Sequence, residues 1–480
     1  MNDVERFALG TLLPGFTGPT APGWLLRELE RGLGGVTLFA INGNVPDMDS
    51  LAALTAQMSE AAEPIVAIDE EGGDVTRLAH LTGSPYPGNA ALGAVDEPDL
   101  TRRVYRSLGA ELAAVGVNLD FAPTVDVNTA ADNPIIGTRS FGADPELVAR
   151  HTTAAVMGLQ EAGVAACAKH FPGHGATIAD SHLDLPVVDI DLDLLTRREL
   201  VPFRAAIQAG ARSVMMGHLN IPALTGGEPA TMSSAAITGL LRERLGYQGV
   251  VVTDALDMHG ASGVVGIPEA AVRSLIAGAD LLCLGPREHE DSVRAVVAAI
   301  IAAVAAGRLP VERLAAAAER VRQLREWLAT PAESTVDHAV GLSAARLAVR
   351  TYGPEWTPLA GPLVVEAQAP GNIAVGPVPW GLGAWLPAGD VVRVDPAAAQ
   401  VAELVARAEG RALVVVLRDA HRHAEQRELA TALLAARPDA VVVEMGLPIW
   451  VPDSVRYVAS YGSTHANSRA VAERLGLVTA

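Results

Sequence analysis

The stretch KHFPGHGATIADSHLDLP, from Lys169 to Pro186, places three histidines, two aspartates and one lysine in a short glycine-containing segment. Asp180 and His182 are separated by one residue, so a turn can bring the carboxylate against one imidazole nitrogen while the other nitrogen faces a ligand. A carboxylate partner fixes the tautomer of a histidine and raises its basicity, which suits proton transfer near neutral pH. The spacing therefore predicts an acid/base pair formed by Asp180 and His182.

Two other interpretations of this stretch are possible. It contains donor side chains that could bind zinc, namely His170, His174, His182 and Asp180. Their spacing matches none of the compact zinc signatures, and Lys169 would place a cation beside the metal, so we expect no metal and no other cofactor. The remaining alternative is a polar surface loop with no chemical role.

Eight short apolar runs in the first part of the chain are typical of buried strands, and helical patterns lie between them. The runs cover residues 7–13, 35–39, 64–68, 117–121, 164–168, 213–216, 250–253 and 279–284. Alternation of strand and helix indicates a parallel sheet. Eight such units in roughly three hundred residues favour a (β/α)8 TIM-type barrel over an open doubly wound sheet.

Capping signals mark the starts of several helices between these runs. Asp144 followed by Pro145 predicts one helix start. Thr196 with Glu199, three residues later, predicts a capping box at another. Both starts lie between predicted strands, as the alternating pattern requires.

The barrel pattern ends where helical spacing breaks down near residue 332. We predict a catalytic barrel domain over 1–332, a linker with a connecting helix over 333–360, and a smaller C-terminal α/β sandwich domain over 361–480. The last part contains the runs PLVVEA, ALVVVLR, AVVVEMG and VRYVASYG, separated by helical stretches. It has no Walker loop or GxGxxG fingerprint, so nucleotide binding is unsupported.

In a barrel of this kind the chemistry takes place where strands end and the following loops begin. Five predicted strand ends carry polar side chains: Asp69, Glu70 and Glu71; Asp120, Asp126 and Arg139; Lys169 and His170; His218; Asp254 and Asp257. Any one of them could cap a helix or close a turn. Together they predict a pocket that recognises a polar, hydroxyl-rich ligand and acts on it.

Asp254, in GVVVTDALDM, directly follows a run of buried apolar residues and has small neighbours. A carboxylate in that position is desolvated yet reachable. It can attack an anomeric carbon and hold a glycosyl-enzyme intermediate while a separate donor protonates the leaving oxygen. Asp257 is the better candidate for a helix-capping role.

Composition excludes several classes of partner. The formal charge of −19 and the lack of Lys/Arg clusters argue against binding nucleic acid or an anionic membrane surface. Cys167 and Cys283 lie in apolar runs and are expected to be core residues. The N-terminus is acidic where a signal peptide would be basic, and no apolar run is long enough to cross a bilayer, so we expect a cytoplasmic protein.

The sequence resembles the glycoside hydrolase family 3 β-N-acetylglucosaminidases of the NagZ type, which are cytoplasmic enzymes of cell-wall recycling. The resemblance rests on the order and spacing of AIDEEGGDVTRL, NLDFAPTVDVN, IIGTRSFG, KHFPGHGATIADSHLDLP, MMGHLNIPAL and GVVVTDALDM. It implies that Asp254 is the catalytic nucleophile and that His182, oriented by Asp180, is the acid/base on a mobile loop. The residues that it implies as ligands of the sugar hydroxyls are Asp69, Arg139, Lys169 and His170.

The resemblance implies a retaining exo-β-N-acetylglucosaminidase that acts on cell-wall or chitin-derived oligosaccharides. A histidine acid/base does not repel phosphate as a carboxylate would, so a phosphorylase acting on β-N-acetylglucosaminides or β-glucosides is the alternative. A non-catalytic sugar-binding protein is the third hypothesis, against which the intact set of motif residues counts. The sequence does not indicate an oligomeric state.

Overall fold

The computed structural model describes residues 2–178, 185–263, 265–286, 289–330, 332–354, 357–371, 373–453 and 456–479. The chain divides into two compact units. The first contains Met1–Glu71, Thr101–Pro134 and Ala143–Val336, and the second contains Gly72–Leu100, Ile135–Gly142 and Asp337–Ala480. Two stretches from the N-terminal part of the chain thus belong to the same unit as the C-terminal part, a division that no local sequence signal indicated. The predicted boundaries at 332 and 360 stay predictions.

The strands of the first unit are all parallel to their partners. They are β1 (Leu12–Pro14), β2 (Gly35–Thr37), β3 (Ile65–Ile68), β4 (Leu119–Asp120), β5 (Ala165–Phe171), β6 (Ser213–Met216), β7 (Val250–Thr253) and β8 (Leu282–Gly285). Strands β2 to β7 form one curled sheet in chain order, and β1 pairs with β8. This parallel α/β arrangement confirms the predicted sheet type.

Helices separate these strands along the chain. They are α1 (Asp3–Gly10), α2 (Gly23–Glu30), α3 (Met48–Ala61), α4 (Asn89–Val95), α5 (Pro98–Ala114), α6 (Pro145–Glu161), α7 (Leu192–Leu194), α8 (Leu200–Gln208), α9 (Pro222–Thr225), α10 (His259–Ser262), α11 (Ile267–Ala277), α12 (Glu290–Ala305) and α13 (Val311–Leu328). Two further segments, Leu195–Glu199 and Ala235–Arg244, have π-helical hydrogen bonding.

The first apolar run is helical over most of its length, so the prediction of a strand over residues 7–13 was wrong there. Helix α1 covers residues 3–10, and only Leu12–Pro14 is a strand. Asn2 caps the helix, because its side chain accepts a hydrogen bond from Glu5 N (2.8 Å). Ala8 and Leu9 face the core, so the apolar residues of this run are buried by helical rather than strand spacing.

The capping predictions had different outcomes. The Asp144 side chain accepts from Glu146 N at the start of α6, as predicted. The capping box at Thr196 was wrong. Asp191 caps the helical segment one turn earlier by accepting from Leu194 N (2.7 Å), and Thr196 Oγ1 donates to Leu192 O inside the helix. Because Asp191 caps the helical segment upstream of Thr196, this segment begins earlier than predicted.

The core of the first unit lies between its strands. Side chains from β1 and from β3 to β8 form one buried cluster, which also contains Val321 and Leu324 of α13. Cys167 and Cys283 belong to this cluster and are free thiols, as the sequence predicted. Burial raises the pKa of Cys167 to about 12, so this thiol stays protonated at neutral pH.

The second unit contains a mixed sheet covered on both faces. Its strands are β9 (Arg350–Tyr352), β10 (Leu363–Ala367), β11 (Val391–Val394), β12 (Leu413–Leu417), β13 (Val441–Glu444) and β14 (Arg456–Ala459), in the order β11-β10-β12-β13-β14-β9. Only β9 is antiparallel to its neighbour among these described strands. The later helices are α14 (His338–Ala348), α15 (Val401–Arg407), α16 (Ala424–Ala436) and α17 (His465–Leu475).

Alternate residues of the central strands point to opposite faces of this sheet. Val365 and Val415 pack in a cluster with residues of α15 and α16, whereas Val364 and Val414 pack in a cluster with residues of α17. Burial on both faces explains the continuous valine runs from which the strands were predicted. The strand β9 was missed, because its residues extend a helical pattern. Among the described helices, none is both long and apolar enough to span a membrane.

Candidate active site

Three neighbouring strands end side by side at the candidate site. Phe171, the last residue of β5, pairs with Met216 of β6, which pairs with Thr253 of β7. The ladder continues one step further, since Gly217 N donates to Phe171 O (2.8 Å) and Asp254 N donates to Met216 O (3.0 Å). Asp254 therefore lies at the same edge of the sheet as the polar residues of β5.

Lys169 is the only lysine in the sequence, and it is buried between two carboxylates that follow β3. Its Nζ lies 2.6 Å from Asp69 Oδ1 and 2.7 Å from Glu71 Oε1. The side chains of Lys169 and Glu71 are 2% and 3% exposed, whereas that of Asp69 is 27% exposed. Burial strengthens both charge-assisted hydrogen bonds. Asp69 is thus the most exposed member of this trio.

Asp120, at the end of β4, is a fully buried carboxyl group beside this trio. Its Oδ1 accepts from Glu70 N (3.0 Å), and no donor among the described residues reaches its Oδ2. Burial raises the pKa of Asp120 well above its usual range, although the Glu70 N–H and the Lys169 charge oppose the rise. Asp120 therefore holds its proton more tightly than an exposed aspartate and adds less negative charge around Lys169.

Asp126 binds both His170, near the end of β5, and the backbone of His174, in the loop that follows. His170 Nδ1 lies 2.7 Å from Asp126 Oδ2, and the backbone N–H groups of His170 and His174 donate to Asp126 Oδ1 at 3.3 and 2.6 Å. Because a carboxylate oxygen only accepts, His170 Nδ1 is the protonated nitrogen. Asp126 thus fixes the ring orientation and the tautomer of His170.

Asp254 is partly exposed, although the β7 residues before it are all buried. Its Oδ1 accepts from the next backbone amide, Ala255 N (2.7 Å). His218, fully buried at the end of β6, has its Nε2 3.0 Å from Ala255 O, so this nitrogen donates to the carbonyl. The backbone on both sides of the Asp254 side chain is therefore held by the neighbouring strand end.

Asp257 does not have the capping role expected of it. The residue at the N-terminal cap of α10 is Met258, whose side chain makes no capping hydrogen bond. Asp257 instead packs against Gly285 at the end of β8, where a side chain on residue 285 would overlap the Asp257 carboxyl group. Gly285 also has a φ of +110°, which favours glycine. Asp257 therefore lies close to the end of β8 and is not the N-cap residue of α10.

Three of the predicted site residues are not placed with this group. Asp180 and His182 lie outside the described residues, and so does the pair that the sequence predicts between them. Arg139 belongs to the second unit, where it ends the single helical turn Gly137–Arg139 and is 7% exposed. The structure thus brings together Asp69, Lys169 and His170 with their partners.

The described part of the chain contains no cluster of three or more His, Cys, Asp or Glu side chains suited to a metal ion. Of the four zinc donors considered from the sequence, His170 and His174 are described. Their rings meet edge to face, with centroids 5.9 Å apart, and His170 Nδ1 contacts Asp126. The absence of metal and cofactor stays a prediction.

Glu199 is a buried carboxyl group that was predicted from its spacing to belong to a capping box. Its Oε1 accepts from Arg198 Nε (2.7 Å), and no described donor reaches its Oε2. It packs under the loop after β5, because a Cβ added to Gly173 would lie 2.7 Å from the Glu199 Cβ. Burial raises the pKa of Glu199 to about 7, while the Arg198 charge opposes the rise. The spacing of Glu199 fits a capping box, so nothing in the sequence indicated that its carboxyl group is buried under this loop.

We predict that Glu199→Gln removes a pH dependence of stability. The folded protein raises the pKa of Glu199 from 4.5 to about 7, so the folded state binds the proton more tightly than the unfolded state. Stability from this group is therefore lost as the pH rises from 4.5 through 7, at a cost of about 3 kcal/mol above pH 7. Relative to wild type, Glu199→Gln should gain stability between pH 5 and pH 8 in denaturant unfolding.

The exposed Glu228 offers a matched control. Glu228→Gln should track the wild-type unfolding free energy at both pH values. An unchanged difference between Glu199→Gln and wild type at pH 5 and pH 8 would show that Glu199 is ionised across this range.

The family model described as the N-terminal domain of glycosyl hydrolase family 3 matches residues 27–324. The matched region contains the strand ends described above from β2 to β8 and covers more than half of the chain. The chain belongs to glycosyl hydrolase family 3. The resemblance to family 3 that was inferred from the motifs is thereby confirmed.

Related family 3 proteins and structures support the same assignment. Beta-hexosaminidase A of Pseudoalteromonas piscicida is 37% identical over 336 residues, which cover 64% of this chain and 56% of that protein. Beta-hexosaminidase LpqI of Mycobacterium tuberculosis is 38% identical over 293 residues, covering 59% of this chain and 74% of LpqI. The chain thus aligns with little more than half of the first of these relatives.

A solved structure extends the likeness to both units of this family 3 chain. A glycoside hydrolase family 3 β-N-acetylglucosaminidase from Paenibacillus sp. is 34% identical, with a TM-score of 0.88. The match covers 99% of this chain and 97% of that protein. The part of the chain after residue 336 is therefore shared with a solved family member.

Proposed function

We propose that this family 3 chain is a retaining exo-acting β-N-acetylglucosaminidase with Asp254 as its nucleophile. The observation that carries the proposal is the position of Asp254, a partly exposed carboxylate that directly follows buried β7 and has its backbone held by β6 and His218. The relatives named beta-hexosaminidase and the Paenibacillus enzyme point to N-acetylglucosamine as the sugar. The substrates are accordingly oligosaccharides that end in this sugar.

The proposed reaction has two steps. First, a carboxylate oxygen of Asp254 bonds to the anomeric carbon as the bond to the leaving oxygen breaks, and His182 protonates that oxygen. Asp180 orients His182 and stabilises its charged form. Then water attacks the anomeric carbon, His182 takes the proton of the water, and Asp254 departs as a carboxylate. Two inversions at one carbon retain the β configuration of the sugar.

Sugar binding is assigned to Asp69, Lys169, His170 and Arg139. Asp69 and Lys169 combine an acceptor and a donor for adjacent hydroxyl groups, and the 2.6 Å contact between them holds that combination rigid. His170 presents Nε2, since its Nδ1 is engaged by Asp126. The support for this assignment is that contacts within the protein orient these side chains: Asp69 and Lys169 contact each other, and Asp126 holds His170.

We further propose that β1 and β8 close the curled sheet into a (β/α)8 TIM-type barrel, followed by the smaller α/β sandwich domain. An isolated bridge joins Val252 of β7 to Leu281, next to β8. Across the other gap, Thr37 Oγ1 of β2 lies 3.7 Å from Cys283 Sγ of β8. The shared core of β1 and β3 to β8 gives further support. Closure brings the ends of all eight strands to one rim.

Turnover of para-nitrophenyl N-acetyl-β-glucosaminide, with and without inorganic phosphate, tests the proposal when the products are analysed by mass. We expect free N-acetylglucosamine at a rate that phosphate does not change. A sugar 1-phosphate formed faster than the free sugar would instead make this protein a phosphorylase. Sugar binding without any product would support the non-catalytic alternative.

The cytoplasmic location, predicted from the N-terminus and the lack of a long apolar run, and the role in cell-wall recycling, implied by the resemblance, stay predictions. The resemblance also predicts the class of natural substrate, which is either a muropeptide-derived or a chitin-derived oligosaccharide. Comparison of kcat/KM for a cell-wall disaccharide and for chitobiose separates these two substrate classes.

A further inference from the structure

Asp74 is a buried aspartate that joins separate segments of the second unit. Its Oδ1 accepts from Ser463 N (2.9 Å) and from Ser463 Oγ (2.8 Å). Its Oδ2 accepts from Thr138 Oγ1 (2.8 Å) and lies 3.5 Å from Arg418 Nη2. The Asp74 side chain is only 3% exposed. These contacts replace the water that an exposed carboxylate would bind.

Thr138 connects this carboxylate to the turn that carries Arg139. The two residues end the helical turn Gly137–Arg139. Asn89 Nδ2 donates to Arg139 O (2.7 Å), and Arg139 Nη1 donates to Ile135 O (3.1 Å). Three hydrogen bonds thus hold the turn. One is accepted by its backbone, one is donated by the Arg139 guanidinium group, and one is donated by the Thr138 hydroxyl to Asp74.

The other contacts of Asp74 come from the loops after two strands of the C-terminal sheet. Arg418 follows β12, and Ser463 follows β14. The backbone at Ser463 is fixed, because the next residue, Thr464, caps α17 by accepting from Asn467 N (3.1 Å). The guanidinium of Arg418 lies over the ring of Trp380, 5.6 Å from its centroid. Both partners of Asp74 on this side are therefore held in place by the second unit.

We propose that Asp74 is a positioning residue for Arg139, because it ties the turn that carries Arg139 to the loops after β12 and β14 of the same unit. The inference rests on the proposed function, because it takes Arg139 as a ligand of the sugar. Asp74 itself acts only through the Thr138 turn. A neutral amide in its place cannot accept from all of these donors, since one of its two polar atoms is itself a donor.

Kinetics with the aryl N-acetylglucosaminide give the first test. Asp74→Asn and Thr138→Val should each raise KM about tenfold and leave kcat within about twofold, because a residue that binds sugar equally in the ground and transition states affects KM. Thr138→Ser keeps the hydroxyl and should restore the wild-type KM. Asp99→Asn, an exposed aspartate in the same 72–100 stretch, is the matched control and should match wild type.

A double-mutant cycle with Arg139→Met shows whether Asp74 acts through Arg139. If it does, Asp74→Asn should have no further effect on KM in the Arg139→Met background. Additive effects on KM would overturn the proposal, because Asp74 would then influence binding by another route. A loss of kcat in Thr138→Val at unchanged KM would also overturn the proposal.

Hydrogen exchange provides a readout that needs no activity. Asp74→Asn and Ser463→Ala should both speed amide exchange in residues 135–142, where Arg139 N donates to Ile136 O and Ser140 N to Gly137 O. Exchange in α6 should stay unchanged. Unaltered exchange over 135–142 would overturn the proposal. A wild-type protein without turnover would overturn the proposed function alone, since this exchange experiment judges the positioning role separately.

Discussion

Replacement of Asp254 by alanine is expected to lower kcat for the aryl N-acetylglucosaminide by at least about 10⁴-fold, the order of loss seen when a covalent nucleophile is removed. The physical reason is that no glycosyl-enzyme bond can form. The fold should be retained, because backbone hydrogen bonds that do not involve the Asp254 side chain hold this segment: Asp254 N donates to Met216 O, and Ala255 O accepts from His218. Steady-state kinetics and thermal unfolding measure the two quantities.

Two further measurements make this prediction specific to a nucleophile. Azide can enter the space left by the Asp254 side chain, so it should restore turnover of Asp254→Ala and yield the glycosyl azide of inverted, α configuration. Asp257→Asn changes a neighbouring exposed carboxylate and should keep most of the activity. Retained activity in Asp254→Ala, or azide rescue that gives the β product, would remove Asp254 from the proposed role.

Replacement of Lys169 by methionine should have the second large effect, on stability as well as on activity. The variant leaves Asp69 and Glu71 close together without the cation between them, and Glu71 is 3% exposed. Removing one member of a buried charged group costs about 3–5 kcal/mol of unfolding free energy. Loss of a charged ligand to a sugar hydroxyl should also lower kcat/KM about 10- to 100-fold.

Lys169→Arg is the conservative comparison for this experiment. The sequence contains 36 Lys and Arg residues, and only Lys169 is a lysine. A need for positive charge alone would therefore not explain why this position is lysine and not arginine. The guanidinium group is planar and larger than the ammonium group, and the Lys169 side chain is 2% exposed and lies between two carboxylates, so we expect the larger group to disturb these contacts. We expect Lys169→Arg to lose activity as well. Full activity in Lys169→Arg would show that only the positive charge matters.

Much of the fold and the site could be predicted from sequence because the signals are local. Buried parallel strands produce short runs of valine and alanine, and each run predicts a strand without reference to its partner. Since parallel strands end at one edge of a sheet, the residues after the runs could be assigned to a common site. Asp69, Lys169, His170 and Asp254 were assigned to the candidate site in this way.

The errors arose where one local signal competed with another or where a contact was distant. Residues 7–10 are apolar enough for a strand, but the Asn2 cap and helical burial make them part of α1. Thr196 and Glu199 have the spacing of a capping box, yet Asp191 begins the helix and Glu199 is buried. In each case packing in the folded protein decided between two patterns that the sequence allowed.

The sequence by itself determined the alternation of strands and helices, the family and the residue types at the strand ends. Only the tertiary structure decided which of these residues pair: Lys169 with Asp69 and Glu71, and His170 with Asp126. It also joined Asp74 to Ser463, 389 positions further along the chain. The physical reason is that periodicity records which side of an element is buried, whereas partners across such distances are chosen by the packing of the whole chain.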